Sequence, residues 1–145
     1  MAERISSRIA DYVAALPLRA DMRVLEIGCG PGVAAREISR QLTTGSILAI
    51  DRSAKAIAAA RAGSTAEMAT GRLEFRESRV EDFALEPGEE RFDLAFAMRV
   101  GALDGRHTEL EAQAMARLKA ALKDEGLLFI DGNKPCRGRD IGAIP

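Results

Sequence analysis

Apolar residues recur along the chain with two alternating periods, which predict helices separated by short strands. Ile5, Ile9, Val13 and Leu16 recur at three- and four-residue steps, which predicts an amphipathic helix that ends before Pro17. Short apolar runs predict five strands, at residues 22–27, 46–51, 73–76, 92–98 and 127–130. Strands that alternate with helices in this way are typical of a parallel sheet.

Helix signals stand between the predicted strands. A helix over residues 32–42 follows the first strand, and Ser53 is a good N-cap for an alanine-rich helix that ends at Gly63. Thr108 and Glu111 have the spacing of a capping box, which predicts Thr108 as the N-cap of the last helix. Together these signals predict a single α/β domain over residues 1–131.

Residues 132–145 show no periodicity and carry Lys134, Arg137 and Arg139 among glycines and prolines, so we expect an irregular basic tail. The chain has no internal repeat and no segment with the composition of an inter-domain linker.

The composition excludes several classes of function. The 145 residues are 47% hydrophobic and carry a net charge of −1, which gives no electrostatic reason to expect nucleic acid or an anionic membrane as a partner. No apolar stretch approaches the ~20 residues of a membrane span, and the first residues lack the apolar centre of a secretory signal. Two cysteines and one histidine predict neither a metal site nor a disulfide framework. We therefore expect a cytoplasmic protein.

The turn after the first strand is the first place to look for a ligand, because open parallel sheets bind ligands beyond the carboxyl ends of their strands. Gly28, Gly30 and Gly32 alternate there and leave no side chains between a ligand and the backbone. Glycine also tolerates the positive φ angles of a tight turn. The helix that follows offers backbone N–H groups near Gly32, which suit a carboxylate or a phosphate.

A dinucleotide site of the Rossmann type would use the same turn. Its fingerprint requires glycines at positions 28, 30 and 33, and position 33 is Val33. The side chain of Val33 obstructs the close approach of helix and strand that the third glycine allows. Binding of NAD is therefore disfavoured but stays open.

The segment 24–32, Val-Leu-Glu-Ile-Gly-Cys-Gly-Pro-Gly, resembles the first motif of the class I S-adenosylmethionine-dependent methyltransferases, and the resemblance extends from Met22 to Asp131. It implies a Rossmann-like, doubly wound and mainly parallel sheet of about five strands in the order 3-2-1-4-5. It also implies S-adenosylmethionine (SAM) as cofactor and S-adenosylhomocysteine (SAH) as product. By resemblance, Glu26 binds the ammonium end of the cofactor, and the turn surrounds its amino-acid half through Gly28, Cys29, Gly30 and Gly32.

Asp51 ends the second strand, 21 residues after Gly30. A carboxylate at that point can accept hydrogen bonds from both hydroxyls of a ribose. The same geometry serves NAD, so Asp51 does not separate the two cofactors. Arg52, the next residue, is a candidate to cover the face of the adenine.

Two further segments match the family by position. Val80, Glu81 and Asp82 follow the third strand and resemble the adenine-recognition loop, in which Val80 or Glu81 supplies a backbone N–H and Glu81 or Asp82 accepts from the exocyclic amine. Met98, at the end of the fourth strand, borders the reaction centre by the same resemblance, although a methionine there also serves as core packing.

The resemblance implies a SAM-dependent methyltransferase that acts on a small-molecule acceptor. His107 is the one candidate for a general base, but a solvent-exposed position before a helix explains it better, so no catalytic residue is predicted. No Asn/Asp-Pro-Pro-aromatic motif follows the fourth strand, so the usual mark of amino-group methylation on bases or glutamine is missing. A SAM- or nucleotide-binding module without transferase activity is the alternative, and an NAD-dependent oxidoreductase is a weaker one.

The sequence departs from the family at its end. The full fold generally adds two more strands after the fifth, and the sequence shows no signal for them. The fifth strand is therefore a candidate sheet edge, covered by the tail or paired with a second copy in a homodimer.

Overall fold

The computed structural model describes residues 5–142, which form one six-stranded sheet in the order β3-β2-β1-β4-β5-β6. The strands are β1 (Arg23–Ile27), β2 (Ser46–Asp51), β3 (Leu73–Glu77), β4 (Phe92–Ala97), β5 (Leu122–Ile130) and β6 (Cys136–Arg137). The helices are α1 (Ser7–Ala15), α2 (Val33–Gln41), α3 (Ala54–Ala62), α4 (Thr65–Ala69) and α5 (Thr108–Ala121). Strands β1 to β5 are parallel, which confirms the predicted fold and strand order.

Two apolar cores lie on the two faces of the sheet, because parallel strands covered by helices on both sides bury side chains in both directions. Val24 of β1 belongs to the core beneath α1, α2 and α3, and its neighbour Leu25 belongs to the core beneath α5. Alternation along the strand places Glu26 on the side of Val24. A carboxyl group therefore stands at the end of an otherwise apolar row.

The helix ends agree with the sequence in two cases and disagree in one. Ser53 caps α3 by accepting a hydrogen bond from the Ala56 N–H at 3.1 Å, and Gly63 follows the last residue of that helix, so both predictions are confirmed. The capping-box prediction is wrong, because α5 begins at Thr108 and its N-cap residue is His107, with no side-chain cap. The His107 N–H donates to the carbonyl of Gly101, so a preceding turn fixes the start of α5.

The tail is more ordered than the sequence predicts. Strand β6 is a sixth, antiparallel strand that pairs with Leu127 and Leu128 of β5. Ile141 is buried in the core beneath α5. The Lys119 ammonium of α5 donates to the backbone carbonyls of Arg139 and Ile141 at 3.1 and 2.9 Å. The tail thus covers part of the outer edge of β5, and a homodimer through that edge stays a prediction.

Candidate functional site

A cavity of about 320 Å³ opens at the carboxyl ends of β1, β2 and β4. The loop after β3, the segment 98–107 and the first turn of α5 complete its walls. Six of the residues predicted to bind a cofactor line it, namely Gly28, Asp51, Arg52, Val80, Glu81 and Met98. The structure therefore brings together residues from four separate segments of the chain at the predicted edge of the sheet.

The other predicted residues do not line this cavity, namely Glu26, Cys29, Gly30, Gly32 and Asp82. The thiol of Cys29 is buried in the core under α2, and it points to its neighbour's carbonyl. The carboxylate of Asp82 is exposed and lies 3.5 Å from the side-chain amide of Gln113 on α5. The structure therefore does not bring either residue to the cavity wall.

The glycine turn is tied to the neighbouring strand through its backbone. Gly28, Gly30 and Gly32 have φ angles of 75°, 55° and 88°, a region that side chains disfavour. The N–H groups of Gly28 and Cys29 both donate to the carbonyl of Ile50, at 2.8 and 3.0 Å. The turn is therefore held in place before any ligand binds.

The three glycines serve different purposes. A Cβ at Gly28 would lie 2.8 Å from Cγ2 of Val100, and a Cβ at Gly32 would lie 2.8 Å from Cζ of Phe75. A Cβ at Gly30 would have no atom within 4 Å. Gly28 and Gly32 thus permit close packing of protein against the turn, whereas Gly30 leaves open space. Gly32 performs the packing role that the dinucleotide fingerprint gives to a glycine one position later.

Asp51 joins the two turns that follow β1 and β2. One of its carboxylate oxygens accepts from the Gly30 N–H at 2.9 Å, and the other accepts from the Ser53 N–H at 2.9 Å. A carboxylate oxygen has two lone pairs, so each one keeps capacity for a further donor. Asp51 is fixed in orientation and still able to receive ribose hydroxyls.

Glu26 lies beneath the turn with only 6% of its surface exposed. Its Oε1 atom is buried and has no hydrogen-bond partner among the described residues. Burial, and secondarily the charge of Asp51, raise the pKa of Glu26 to about 8. The pKa of the Cys29 thiol is raised as well, by burial first and then by Glu26 and Asp51. A buried polar atom without a partner is costly, and one at this position calls for a donor.

The predicted adenine-recognition loop is a single 3-10 turn over Val80–Asp82, and it is anchored on α5. Val80 and Glu81 are buried. The side-chain amide of Gln113 donates to the carbonyl of Glu81 at 2.6 Å. Sequence reasoning missed Gln113, because nothing in the local pattern of α5 distinguishes it from any other exposed polar residue.

The segment between β4 and α5 forms the remaining wall. Its second residue, Arg99, has a φ of 56°, and the Arg99 N–H donates to Asp131 Oδ1 at 2.7 Å. The guanidinium of Arg106 donates to the Arg99 carbonyl at 2.7 Å. His107 lines the cavity and packs so closely on Gly101 that a Cβ there would lie 2.5 Å from its ring. The single histidine is thus part of the cavity wall.

The fold and the glycine turn are those of the class I, Rossmann-like methyltransferases. A family model described as a methyltransferase domain matches residues 24–126, and the chain belongs to that family. The match begins in β1 and ends within β5, so it contains the glycine turn, Asp51 and the 3-10 turn after β3. A comparison with curated protein sequences finds no match.

Solved structures of low sequence identity share the fold. YcgJ from Bacillus subtilis has a TM-score of 0.66 at 20% identity, over 85% of this chain and 49% of its own. The [4+2]-cyclase SpnF has a TM-score of 0.69 at 26% identity, over 85% of this chain and 43% of its own. Coclaurine N-methyltransferase, bound to N-methylheliamine and SAH, has a TM-score of 0.66 at 14% identity, over 86% of this chain and 34% of its own. The chain spans less than half the length of each.

The described residues contain no helix that is long and apolar enough to cross a membrane.

Proposed function

We propose that the protein is a SAM-dependent methyltransferase that acts on a small-molecule acceptor. The observation that carries this proposal is the buried carboxyl of Glu26, which has an unpartnered oxygen directly beneath a glycine turn. A ligand with an ammonium group over that turn would supply the missing donor and the missing positive charge. The amino-acid end of SAM has such a group, and dinucleotides have none.

The remaining residues fit the other parts of the same cofactor. Gly30 leaves open space above the turn, as a ligand lying against the backbone requires. Asp51 lines the cavity and has lone pairs left for the ribose hydroxyls. Val80 and Glu81 line the far wall, where an adenine would find backbone groups. A volume of about 320 Å³ lies within the range of small-molecule sites.

The chemistry needs little from the protein beyond this arrangement. Bound SAM supplies an activated methyl group on a sulfonium, so no protein nucleophile is required. Glu26 and Asp51 would fix the amino-acid end and the ribose of the cofactor, and Met98, which follows the neighbouring strand β4, lines the same cavity as Asp51. Orientation of this kind and exclusion of water are the contributions expected of the chain.

A second candidate is a cofactor-binding protein without methyl transfer. SpnF, at 26% identity, shares this fold and is named a cyclase, so the fold alone does not establish methylation. The two candidates share the cavity and differ only in turnover. A third possibility, NAD binding, differs in the ligand itself.

Calorimetric titration with SAH tests the proposal. We expect wild type to bind SAH, and Glu26→Gln to bind it more weakly by about 1.5–3 kcal/mol, because a charge-assisted hydrogen bond is lost. Glu90→Gln is the matched control, since Glu90 is exposed and precedes β4, near the amino-terminal ends of the strands and away from the cavity. Folded wild type that fails to bind SAH would exclude the proposal.

Two further readouts separate the alternatives. Thermal stabilisation by NADH but not by SAH would favour the oxidoreductase. Binding of SAM without transfer of its labelled methyl to any member of a metabolite panel would favour the binding module.

A further inference from the structure

A second cavity of about 500 Å³ lies at the same edge of the sheet, on the side of α1. Tyr12 of α1 forms one wall, and Met98, Arg99 and Asp131 form the others. Arg8 and Asp11 stand at its mouth as exposed residues of α1. None of these α1 residues belongs to the predicted cofactor set.

The two cavities are neighbours that share part of their walls. Met98 and Arg99 line both of them. If the proposed function is correct, the cofactor occupies the first cavity, and the end of β4 borders its methyl group. A molecule in the second cavity then lies next to the cofactor, and direct transfer requires the two molecules to touch at the border that Met98 and Arg99 form.

The shared wall is conformationally fixed. Arg99 and Asp131 are the two non-glycine residues of the described chain with positive φ, at 56° and 51°. They are joined by the hydrogen bond from the Arg99 N–H to Asp131 Oδ1 at 2.7 Å, and the Asp131 N–H donates to the Ala97 carbonyl at 2.9 Å. Strained backbone persists where the surroundings enforce it, and such places cluster at functional sites. The result is a carboxylate held at the edge of the second cavity.

The inner wall of this cavity carries one phenol, Tyr12, and one carboxylate, Asp131. The Tyr12 hydroxyl lies 3.5 Å from the carbonyl oxygen of Ala97. Its pKa is raised to about 12, by burial first and then by the charges of Asp131 and Glu26. No cation opposes this shift, although two arginines line the cavity. Both Arg8 and Arg99 have exposed side chains, where water and salt screen their charge.

We propose that the second cavity is the acceptor site and that it selects an aliphatic amine. This inference rests on the proposed function. An amine enters as its ammonium form, which the carboxylate of Asp131 attracts. Tyr12 keeps its proton throughout and offers its hydroxyl oxygen as an acceptor.

The reaction that follows is balanced. The bound ammonium first loses one proton to water. The freed lone pair on nitrogen then forms a bond to the methyl carbon, and the carbon–sulfur bond breaks with its electron pair left on sulfur. The products are a methylated ammonium and a neutral thioether. An aliphatic amine is nucleophilic enough to react without the Asn/Asp-Pro-Pro-aromatic motif that the chain lacks.

Three probes with one carbon skeleton test the selectivity, namely phenethylamine, phenethyl alcohol and phenylacetate. Ligand-observed NMR on the full chain saturated with SAH measures their binding without turnover. We expect phenethylamine to bind most tightly and to accept labelled methyl from SAM. Preferred binding of the alcohol or the acid, or no binding of the amine at millimolar concentration, would overturn the proposal. Failure of SAH itself to bind would instead overturn the proposed function.

Asp131→Asn tests the carboxylate, because the amide oxygen still accepts from the Arg99 N–H while the charge is lost. We expect the affinity for phenethylamine to fall at least about tenfold, with the affinities for the alcohol and for SAH unchanged. Tyr12→Phe keeps the ring beside Phe96 and removes the hydroxyl, so a smaller loss for the amine is expected. Asp124→Asn, an exposed change in β5 away from the cavity, is the control. An unaltered preference for the amine in both test variants would refute the assignment.

Discussion

The carboxylate of Asp51 accepts a hydrogen bond from the backbone N–H of Gly30 at 2.9 Å, across 21 residues of sequence. The residue proposed to hold the ribose therefore also holds the turn proposed to hold the amino-acid end. A second hydrogen bond, from the Ser53 N–H, fixes the other oxygen. Ligand binding and local structure depend on the same carboxylate, so substitutions at Asp51 affect both.

Replacing Asp51 should weaken SAH binding and lower stability together. In Asp51→Ala, the ribose and two backbone N–H groups lose an acceptor, so we expect a loss of about 1.5–3 kcal/mol in SAH binding and a lower melting temperature. Asp51→Asn keeps one acceptor oxygen, so its SAH affinity and melting temperature should lie between those of wild type and Asp51→Ala. Calorimetry and thermal unfolding measure these effects, with Asp124→Ala as an exposed control. Unchanged SAH affinity in Asp51→Ala would show that Asp51 does not hold the ribose.

The free protein should lose stability as the pH rises towards 8, because of Glu26. Its pKa of about 8 in the folded chain lies above the ordinary value of 4.5, so the folded state binds more protons than the unfolded state between these values. The contribution of Glu26 to stability is fully present below its pKa of 4.5 in the unfolded chain. It is lost as the pH rises through its pKa of about 8 in the folded chain. The slope is at most about 1.4 kcal/mol per pH unit.

Urea unfolding of wild type and Glu26→Gln over this range measures that slope. The variant should be less sensitive to pH, because it has no proton to lose. Glu89 and Asp93 have lowered pKa values, so their contributions are lost in acid and leave the same window unaffected. Equal slopes in the two proteins would contradict the prediction.

SAH binding should release a proton. If the ammonium of SAH pairs with Glu26, the carboxyl must ionise on binding, so affinity should rise as the pH approaches 8. Titrations near neutral pH in buffers of different ionisation enthalpy count the protons released. 5′-Methylthioadenosine, which lacks the amino-acid end, is the control and should release none. Wild type that releases no proton on binding SAH would disprove the pairing.

Alanine substitutions at two positions of the glycine turn should differ in their main effect, which is on stability at Gly28 and on SAH affinity at Gly30. Gly28→Ala requires a positive φ and displaces Val100, so stability should fall by about 1–3 kcal/mol and partly recover in Gly28→Ala/Val100→Ala. Gly30→Ala meets no atom within 4 Å, so its loss of stability should be smaller and its loss of SAH affinity larger. Urea unfolding and calorimetry separate the two. A larger loss of SAH affinity in Gly28→Ala than in Gly30→Ala would show that the ligand does not lie against Gly30.

The five parallel strands could be predicted from the sequence because four are apolar runs bounded by turn residues, and β3 alternates apolar Leu73 and Phe75 with polar residues. Strand β6 has two residues and no apolar run, and it exists only through its pairing with β5. Helix α4 has five residues and lacks a periodic pattern. The start of α5 depends on a turn from Gly101 to His107 that the capping-box spacing does not reveal.

The cofactor cavity could be predicted in outline because its residues follow strand ends within a few positions. Tyr12, Val100 and Gln113 could not, because each reaches the site through packing of distant segments. Tyr12 stands on a helix before β1, and its role depends on how α1 lies across the end of β4. The second cavity is therefore a product of tertiary structure alone.

The glycine turn is secured to β2 by main-chain N–H groups that donate to the Ile50 carbonyl. Every amino acid except proline has the same N–H group, so these hydrogen bonds to the Ile50 carbonyl do not depend on the side chains along the two strands. Lineages are then free to exchange side chains around a constant main-chain frame. A frame of this kind agrees with the sharing of the fold by a solved structure at 14% identity.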